Sequence, residues 1–258
     1  MLFGRMTNPG EDIVKEIEKT HKLGFDYAEI GIEAPTDCDV LRKRKNAIIK
    51  SLRKFRHPAI GHTSWWYDLS SPYKSVRDGW LAQAEKDIQT AHLLGIRLLN
   101  FHFLVPGKFV LSSKESGMPV LNSFIESLNT IAEMAQKKKM TIMLENAEHL
   151  FEHYGYVIGR CPKVNVHLDV GHAFLMGGMK EIRRFIAHFS NRIAHIHIHD
   201  NHGTADEHIA LGKGRIKWKS VIAMLRKSGY EGTVTFEVFK SDKDLLKSRD
   251  YFRKLWSS

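Results

Sequence analysis

Eight short segments with strand character alternate with helical segments along the whole chain, and no linker or break in composition separates them. Leu2-Phe3-Gly4 opens the series, and Thr7-Asn8-Pro9-Gly10 follows it with turn and cap chemistry. Ile13, Ile17 and Leu23 share one side of a helix that stops at Gly24, and residues 27–33 alternate as a second strand. Residues 39–55 read as one helix, with the basic run Arg42-Lys43-Arg44-Lys45 as a solvated face. Residues 59–66 form a third strand, 75–94 a long helix closed by Gly95, and 96–103 a fourth strand. A break at Val105-Pro106-Gly107 precedes a helix over 121–138, whose last lysines suit the negative end of the helix dipole. Residues 141–146 make the fifth strand, 149–159 a short helix or loop, 164–170 the sixth strand and 180–188 a helix. The seventh strand, from Ile193 to His199, alternates isoleucine with histidine. A helix over 218–227, a strand over 233–239 and a helix over 242–256 complete the series.

Such alternation demands a parallel sheet, and eight βα units close naturally into a barrel. The length of 258 residues fits, since barrels of this kind run to about 250. An open doubly wound sheet is the alternative, but no glycine-rich phosphate fingerprint follows the first strand. The expected fold is therefore α/β, a single-domain (β/α)8 TIM barrel over residues 1–258. A content of 43% hydrophobic and 26% charged residues suits a globular chain with a sizeable core. No apolar run approaches the roughly 18 residues of a membrane helix, so no membrane partner is expected. The start, MLFGRMTNPGED, lacks secretion-signal features, and Cys38 and Cys161 are too few for a disulfide framework; a cytoplasmic protein is expected. The net charge of +10 invites nucleic acid or an anionic substrate, although a basic balance is equally a solubility property.

A barrel of this kind places its active site at the C-terminal ends of the strands. His62 ends the third strand, His102 the fourth, Glu145 the fifth, Asp169 and His172 the sixth, His197 the seventh and Glu237 the eighth. Asp206 and His208 lie in the loop just past the seventh. Every one is a metal-ligand type, and period-two alternation puts Met143 with Glu145, His167 with Asp169 and Thr235 with Glu237 on matching faces. A divalent-metal centre is expected, with one to three ions per chain. The histidine content favours zinc over Mn2+, Co2+ or Mg2+. Taken singly, each of these residues also has a plain reading as a satisfied core side chain. His167 and His195, two residues deeper on their strands, read as barrel interior. No pattern supports a role for His57, His92, His149 or His153.

The motifs Leu99-Asn100-Phe101-His102, Leu144-Glu145-Asn146, Leu168-Asp169-Val170-Gly171-His172, Asp206-Glu207-His208 with Leu211-Gly212-Lys213-Gly214, and Glu237 span the chain. Together they resemble the xylose isomerase-like TIM barrels, which include endonuclease IV and many sugar isomerases and epimerases. Similarity to endonuclease IV implies that Glu145 bridges two metals, with His62 and His102 on the first. It implies Asp169, His197 and Glu237 on the second, and His172, Asp206 and His208 on a third. Similarity to the isomerases and epimerases implies one shared site of Glu145, Asp169, His197 and Glu237.

The chain departs from endonuclease IV in lacking a histidine in MLFGRMTN and a longer insertion before the Asp-x-His pair. Gly31-Ile32-Glu33-Ala34-Pro35 also lacks the features of its DNA-contacting loop. Gly24-Phe25-Asp26-Tyr27-Ala28-Glu29-Ile30 resembles the isomerase and epimerase branch. His199-Asp200-Asn201-His202 lacks the arginine usual in ketose 3-epimerases. The resemblance thus implies an isomerase or epimerase acting on a sugar, sugar phosphate or sugar-like polyol ketone. Glu145, Glu237 and His172 are its candidate catalytic residues. Trp65, Trp66, Lys213 and Arg215 are candidate substrate contacts, the last two near the usual barrel phosphate region. The alternative is a zinc-dependent nuclease cutting abasic DNA, with the tryptophans stacking on bases. A homo-oligomer is compatible with either.

Overall fold

The computed structural model of the protein describes residues 1–105, 114–147 and 149–257. Eight parallel strands close into a barrel in sequence order: β1 (Leu2–Met6), β2 (Tyr27–Ile32), β3 (Ile60–Thr63), β4 (Leu98–Phe103), β5 (Thr141–Asn146), β6 (Val164–Asp169), β7 (Ile193–Ile198) and β8 (Thr233–Phe236). Outside them lie α1 (Ile13–Lys22), α2 (Cys38–Lys43), α3 (Lys45–Leu52), α4 (Lys74–Leu93), α5 (Lys114–Gln136), α6 (Phe151–Ile158), α7 (Val170–Phe189), α8 (Trp218–Lys227) and α9 (Asp242–Ser257). Pro106 and Gly107 of the expected break lie outside the described residues.

Most of the core fills the annulus between strands and helices, because most outward strand residues are apolar and pack under the helices. Phe101, Phe103, Leu144, Val166, Ile196 and Val234 are buried there. The barrel interior is layered instead. At its N-terminal end Tyr27, Ile60 and Met143 form a small apolar plug. The Tyr27 ring fits because residue 4 is glycine; a Cβ there would sit 2.1 Å from the ring. One step up each strand, two residues on, the interior turns polar: Glu29, His62 and Glu145 follow Tyr27, Ile60 and Met143 on the same face. The parallel register then aligns the layer sideways, pairing His102 with Glu145 and Asp169 with His197.

Several expected elements change at their edges. The helix over 39–55 is two helices, broken at Arg44 (φ −98°, ψ 6°). The basic run is not uniformly solvated: Arg42 donates to Thr90 Oγ1 at 2.9 Å and Lys86 O at 3.2 Å, and Arg44 pairs with Asp12. The helix expected over 180–188 is the second part of α7; an unexpected first part starts at Val170, where the Asp169 carboxylate caps the first turn by accepting the His172 N–H at 2.6 Å. α7 bends at Gly177 and Gly178, where Gly178 has φ +63°. That early start carries His172 into the barrel mouth.

Candidate metal centre

The nine proposed ligands all gather at the C-terminal mouth of the barrel, in three adjoining clusters. Glu145 is common to the first two. Its Oε2 lies 3.4 Å from Nε2 of both His62 and His102, while its Oε1 lies 3.6 Å from Nδ1 of His197 and of His172. Asn100 donates to Oε2 at 2.6 Å, and its own Oδ1 lies 2.9 Å from His167 Nδ1, so the carboxylate is held from beneath. Burial pushes the Glu145 carboxyl up, but the surrounding histidines His167, His102 and His197 outweigh it and hold it well below the usual range. His102 goes the other way. Burial drives it down to about 4, so its ring is neutral at pH 7 and keeps a lone pair for a cation.

In the second cluster, donor atoms of Glu145, Asp169, His197 and Glu237 all lie within 4.8 Å of one another. His197 Nδ1 is 3.1 Å from Glu237 Oε1 and 4.0 Å from Asp169 Oδ2. Its other nitrogen, Nε2, contacts Glu29 Oε1 at 3.0 Å. A proton on Nε2 donates to Glu29, so Nδ1 is the atom turned toward three carboxylates. That is how ligand histidines are oriented: the second nitrogen is tied to an acceptor, which fixes the tautomer and raises basicity. Burial lowers the ring, but Glu237, Glu29 and Glu145 outweigh it and raise it well above its usual range, so a cation bound there takes the place of a proton.

The same device recurs in the third cluster. His172 Nδ1 lies 3.1 Å from Asn146 O, and His208 Nδ1 lies 3.0 Å from Glu237 O. Each can only donate to a carbonyl, so each Nε2 is free to point at Asp206 Oδ2, at 3.3 and 2.9 Å. His199 joins this cluster with Asp206, fully buried.

These residues fit a metal. Buried atoms without a hydrogen-bond partner among the described residues are His62 Nδ1, His102 Nδ1, His167 Nε2, Asp169 Oδ2, His197 Nδ1 and both His199 nitrogens. Each costs about 1–3 kcal/mol if nothing satisfies it. All belong to these three clusters or touch them, and imidazole with carboxylate is a donor set for divalent ions.

Two participants carried no role in the sequence reading. Glu29 accepts from His195 Nε2 and His197 Nε2, both at 3.0 Å. Burial raises its carboxyl, but the two imidazoles outweigh that and hold it well below the usual range. Its signal was a lone inward charge in the strand YAEIGI, two residues above Tyr27. His199 shares the face of His195 and His197, but lies one residue past β7. Replacing Glu29 by Gln keeps the shape and removes the charge that orients His197. Metal affinity, measured by chelator competition, is expected to fall by about 10- to 100-fold. An unchanged affinity in a folded variant would dismiss this role.

The other loop residues divide. Asp200, fully buried, is no ligand: its carboxylate accepts from Gly212 N at 2.8 Å, Ile216 N at 3.2 Å and the Trp218 indole at 2.9 Å. It pins the loop after β7. Gly214 is required there, because a Cβ would meet Asn201 O and Asp200 Oδ1 at 2.3 Å. Lys213 and Arg215 are exposed on that loop. Trp65 and Trp66, just past β3, are 53% and 64% exposed and stack on each other at 4.1 Å. Phe239, past β8, is also exposed and stacks on His208 at 4.7 Å. His149 takes a structural place, accepting the Val105 N–H at 2.9 Å.

A closed (β/α)8 barrel with histidine and carboxylate clusters at its mouth defines a class of metal-capable barrels. Residues 17–255 match the family described as xylose isomerase-like TIM barrel, and the chain belongs to that family. It is 31% identical to protein MJ1614 of Methanocaldococcus jannaschii over 62% of this chain, and spans only 62% of that protein's length. It is 24% identical to a probable endonuclease 4 of Aquifex aeolicus, over 92% of this chain and 90% of the relative. In structure it superposes on a D-tagatose 3-epimerase-like protein with a TM-score of 0.84 and 22% identity, covering 100% of this chain and 97% of that one. Relatives of both kinds, epimerase and nuclease, thus share the fold. No helix among the described residues is long and apolar enough to cross a membrane.

Proposed function

We propose that the protein is a divalent-metal-dependent isomerase or epimerase acting on a sugar, sugar phosphate or sugar-like polyol ketone. One observation carries this reading. Glu145 and Glu237 reach a single buried cluster from β5 and from the end of β8, well apart around the barrel wall. A flat substrate between them meets a carboxylate from each side. A divalent ion in that cluster would polarise a substrate carbonyl and acidify the neighbouring C–H bond. The chain supplies the rest. Glu237 is held ionised: burial raises its carboxyl, but His197 and His208 outweigh this and lower it below the usual range. It can therefore accept a proton, with Glu145 as the second transfer group. His172 and His102 line the same mouth and would orient hydroxyls or hold a further ion.

Proton transfer next to a carbonyl exposes the substrate carbon to solvent, whereas phosphodiester hydrolysis touches no C–H bond. Metal-loaded protein in deuterium oxide, given ketoses, aldoses, inososes and their phosphates, should place deuterium at the carbon beside the carbonyl. An abasic-site oligonucleotide run in parallel tests the second reading. The Glu145 carboxylate favours that reading, because its two oxygens face different clusters, as a residue bridging two ions would. Cleavage of that DNA, with no deuterium in any sugar, would replace the isomerase with a nuclease.

The stacked tryptophans separate the readings again. As walls of a small-substrate pocket, Trp65→Ala with Trp66→Ala should raise KM about tenfold or more, since loss of stacked aromatic area is worth about 1–3 kcal/mol. Retention on abasic duplex should not change. Loss of salt-sensitive duplex binding instead would favour the nuclease.

A further inference from the structure

We propose that His199 is a fourth metal ligand, which turns the cluster of His172, Asp206 and His208 into a closed site with a structural task. The proposal rests on the reading of the barrel mouth as a metal centre. It adds that one of the ions there never meets substrate.

His199 is fully buried, and neither of its ring nitrogens has a hydrogen-bond partner among the described residues. An imidazole in that state wastes a donor and an acceptor unless something takes the free lone pair. Its Nε2 lies 3.3 Å from Asp169 Oδ1 and 3.5 Å from Asp206 Oδ1. Asp169 Oδ1 is already engaged, accepting the His172 backbone N–H at 2.6 Å as the cap of α7. The other neighbour of His199 Nε2 is Asp206, where the Nε2 atoms of His172 and His208 also converge. The ring of His199 lies against that of His208, 3.9 Å between centroids and 23° from parallel, and one donor atom from each of His172, His199, Asp206 and His208 lies within 4.8 Å of the others.

The backbone makes room for this ring. A Cβ on residue 171 would sit 2.1 Å from His199 Cε1, so glycine at 171 is a condition for the ring to lie there. The glycine belongs to the same turn that delivers His172.

The spacing suits zinc. Metal–ligand arms of about 2.0–2.1 Å in a tetrahedron put neighbouring donor atoms about 3.3–3.4 Å apart. The three Nε2 atoms stand 2.9, 3.3 and 3.5 Å from oxygens of Asp206. Three imidazoles and one carboxylate complete a four-coordinate sphere, and a completed sphere has no position left for substrate. Such an ion ties the first turn of α7 to the loop after β7, the loop that Asp200 secures from the opposite side. Chemistry then belongs to the clusters around Glu145 alone.

Glu145→Gln takes the shared carboxylate from the other two clusters and keeps all four donors of the third, so Co2+ supplied at one equivalent goes first to the third, the cluster whose donor set is still complete. The Glu145→Gln protein should take up one Co2+ per chain with the intense visible absorption of tetrahedral cobalt. Adding His199→Asn should reduce the absorption to the weak bands of five- or six-coordinate cobalt. Release to a chelator should become at least about 100-fold faster, since even outer partners of ligands are worth about 10- to 100-fold. Weak bands and equal release rates in both proteins would overturn the proposal while leaving the metal centre standing. No cobalt bound to the Glu145→Gln protein would overturn it too; metal analysis of the wild type would then show whether the wider reading falls with it. If His199→Asn does not fold, zinc X-ray absorption on the singly loaded Glu145→Gln protein decides. Three imidazoles per zinc support the proposal and two refute it.

Discussion

Glu237→Gln should abolish deuterium incorporation into substrate while leaving a folded, metal-binding barrel. The side chain lies one residue past β8, is buried, and stands 3.1 Å from His197 Nδ1. Glutamine fills the same space and can still offer a carbonyl oxygen, but its amide cannot accept a proton. Removing a positioned general base costs about 10²- to 10⁴-fold in rate, and the loss should fall on kcat rather than KM. Because Glu237 is also a proposed ligand, the variant needs a second readout. Glu145, Asp169 and His197 remain to hold an ion, so excess metal should restore binding. Restored binding without restored exchange marks proton transfer as the missing step. Exchange that recovers fully with added metal would reduce Glu237 to a ligand and leave the base to be found elsewhere. Exchange within about tenfold of wild type without added metal would remove it from the mechanism.

The barrel was legible because it is a pattern repeated eight times, and no single segment had to be read correctly. Where one segment stood alone, its edges moved. The helix over 39–55 broke at Arg44, and the one expected from 180 gained an additional helical part ahead of it, from Val170. The second shift has a physical source: Asp169 is both a proposed ligand and a helix cap, and the sequence shows only one residue for the two tasks. Six of the nine proposed ligands were legible as a group because they lie at strand ends, which in a (β/α)8 barrel share one mouth; His172, Asp206 and His208 came from the turn and loop just beyond. The partners of these ligands were not legible. Glu29 works through His195 and His197, 166 and 168 positions away along the chain, and nothing local to YAEIGI announces that pairing. His199 was hidden for another reason. It shares the period-two face of His195 and His197 but lies one residue past β7, and face alone did not say that it joins the loop pair Asp206 and His208. The role of Asp200 was equally invisible, since a carboxylate bound to backbone N–H groups looks in sequence like any acid beside a histidine.

Stripping the metal should destabilise the protein by roughly 10 °C in Tm, and the deficit should grow with pH. A ligand that binds only the folded state at about 1,000 times its Kd stabilises by about 4 kcal/mol, and in a chain of this size each kcal/mol is worth about 2–4 °C. The stripped centre is left with Glu29, Glu145, Asp169 and Glu237 buried together, and protons on neighbouring imidazoles supply counter-charge. His208 shows the sign. Burial alone would lower it, but Asp206 and Glu237 outweigh burial and push it up to about 9 from 6.5. A pKa raised on folding gives stability that is fully present below pH 6.5 and is lost as pH rises through about 9. Asp206 works in the opposite sense: its carboxyl is held well below 3.8, so its contribution is present above that value and vanishes only in acid. Between pH 6.5 and 9 the stripped protein should therefore melt at progressively lower temperature. The loaded protein should not follow it down, because its ligand histidines are already deprotonated and metal affinity rises as competing protons leave. Thermal melts at pH 6.5, 7.5 and 9, with and without prior chelation and with zinc added back, test both slopes. Equal melting temperatures at all three values, before and after chelation, would mean that no ion contributes to the folded state.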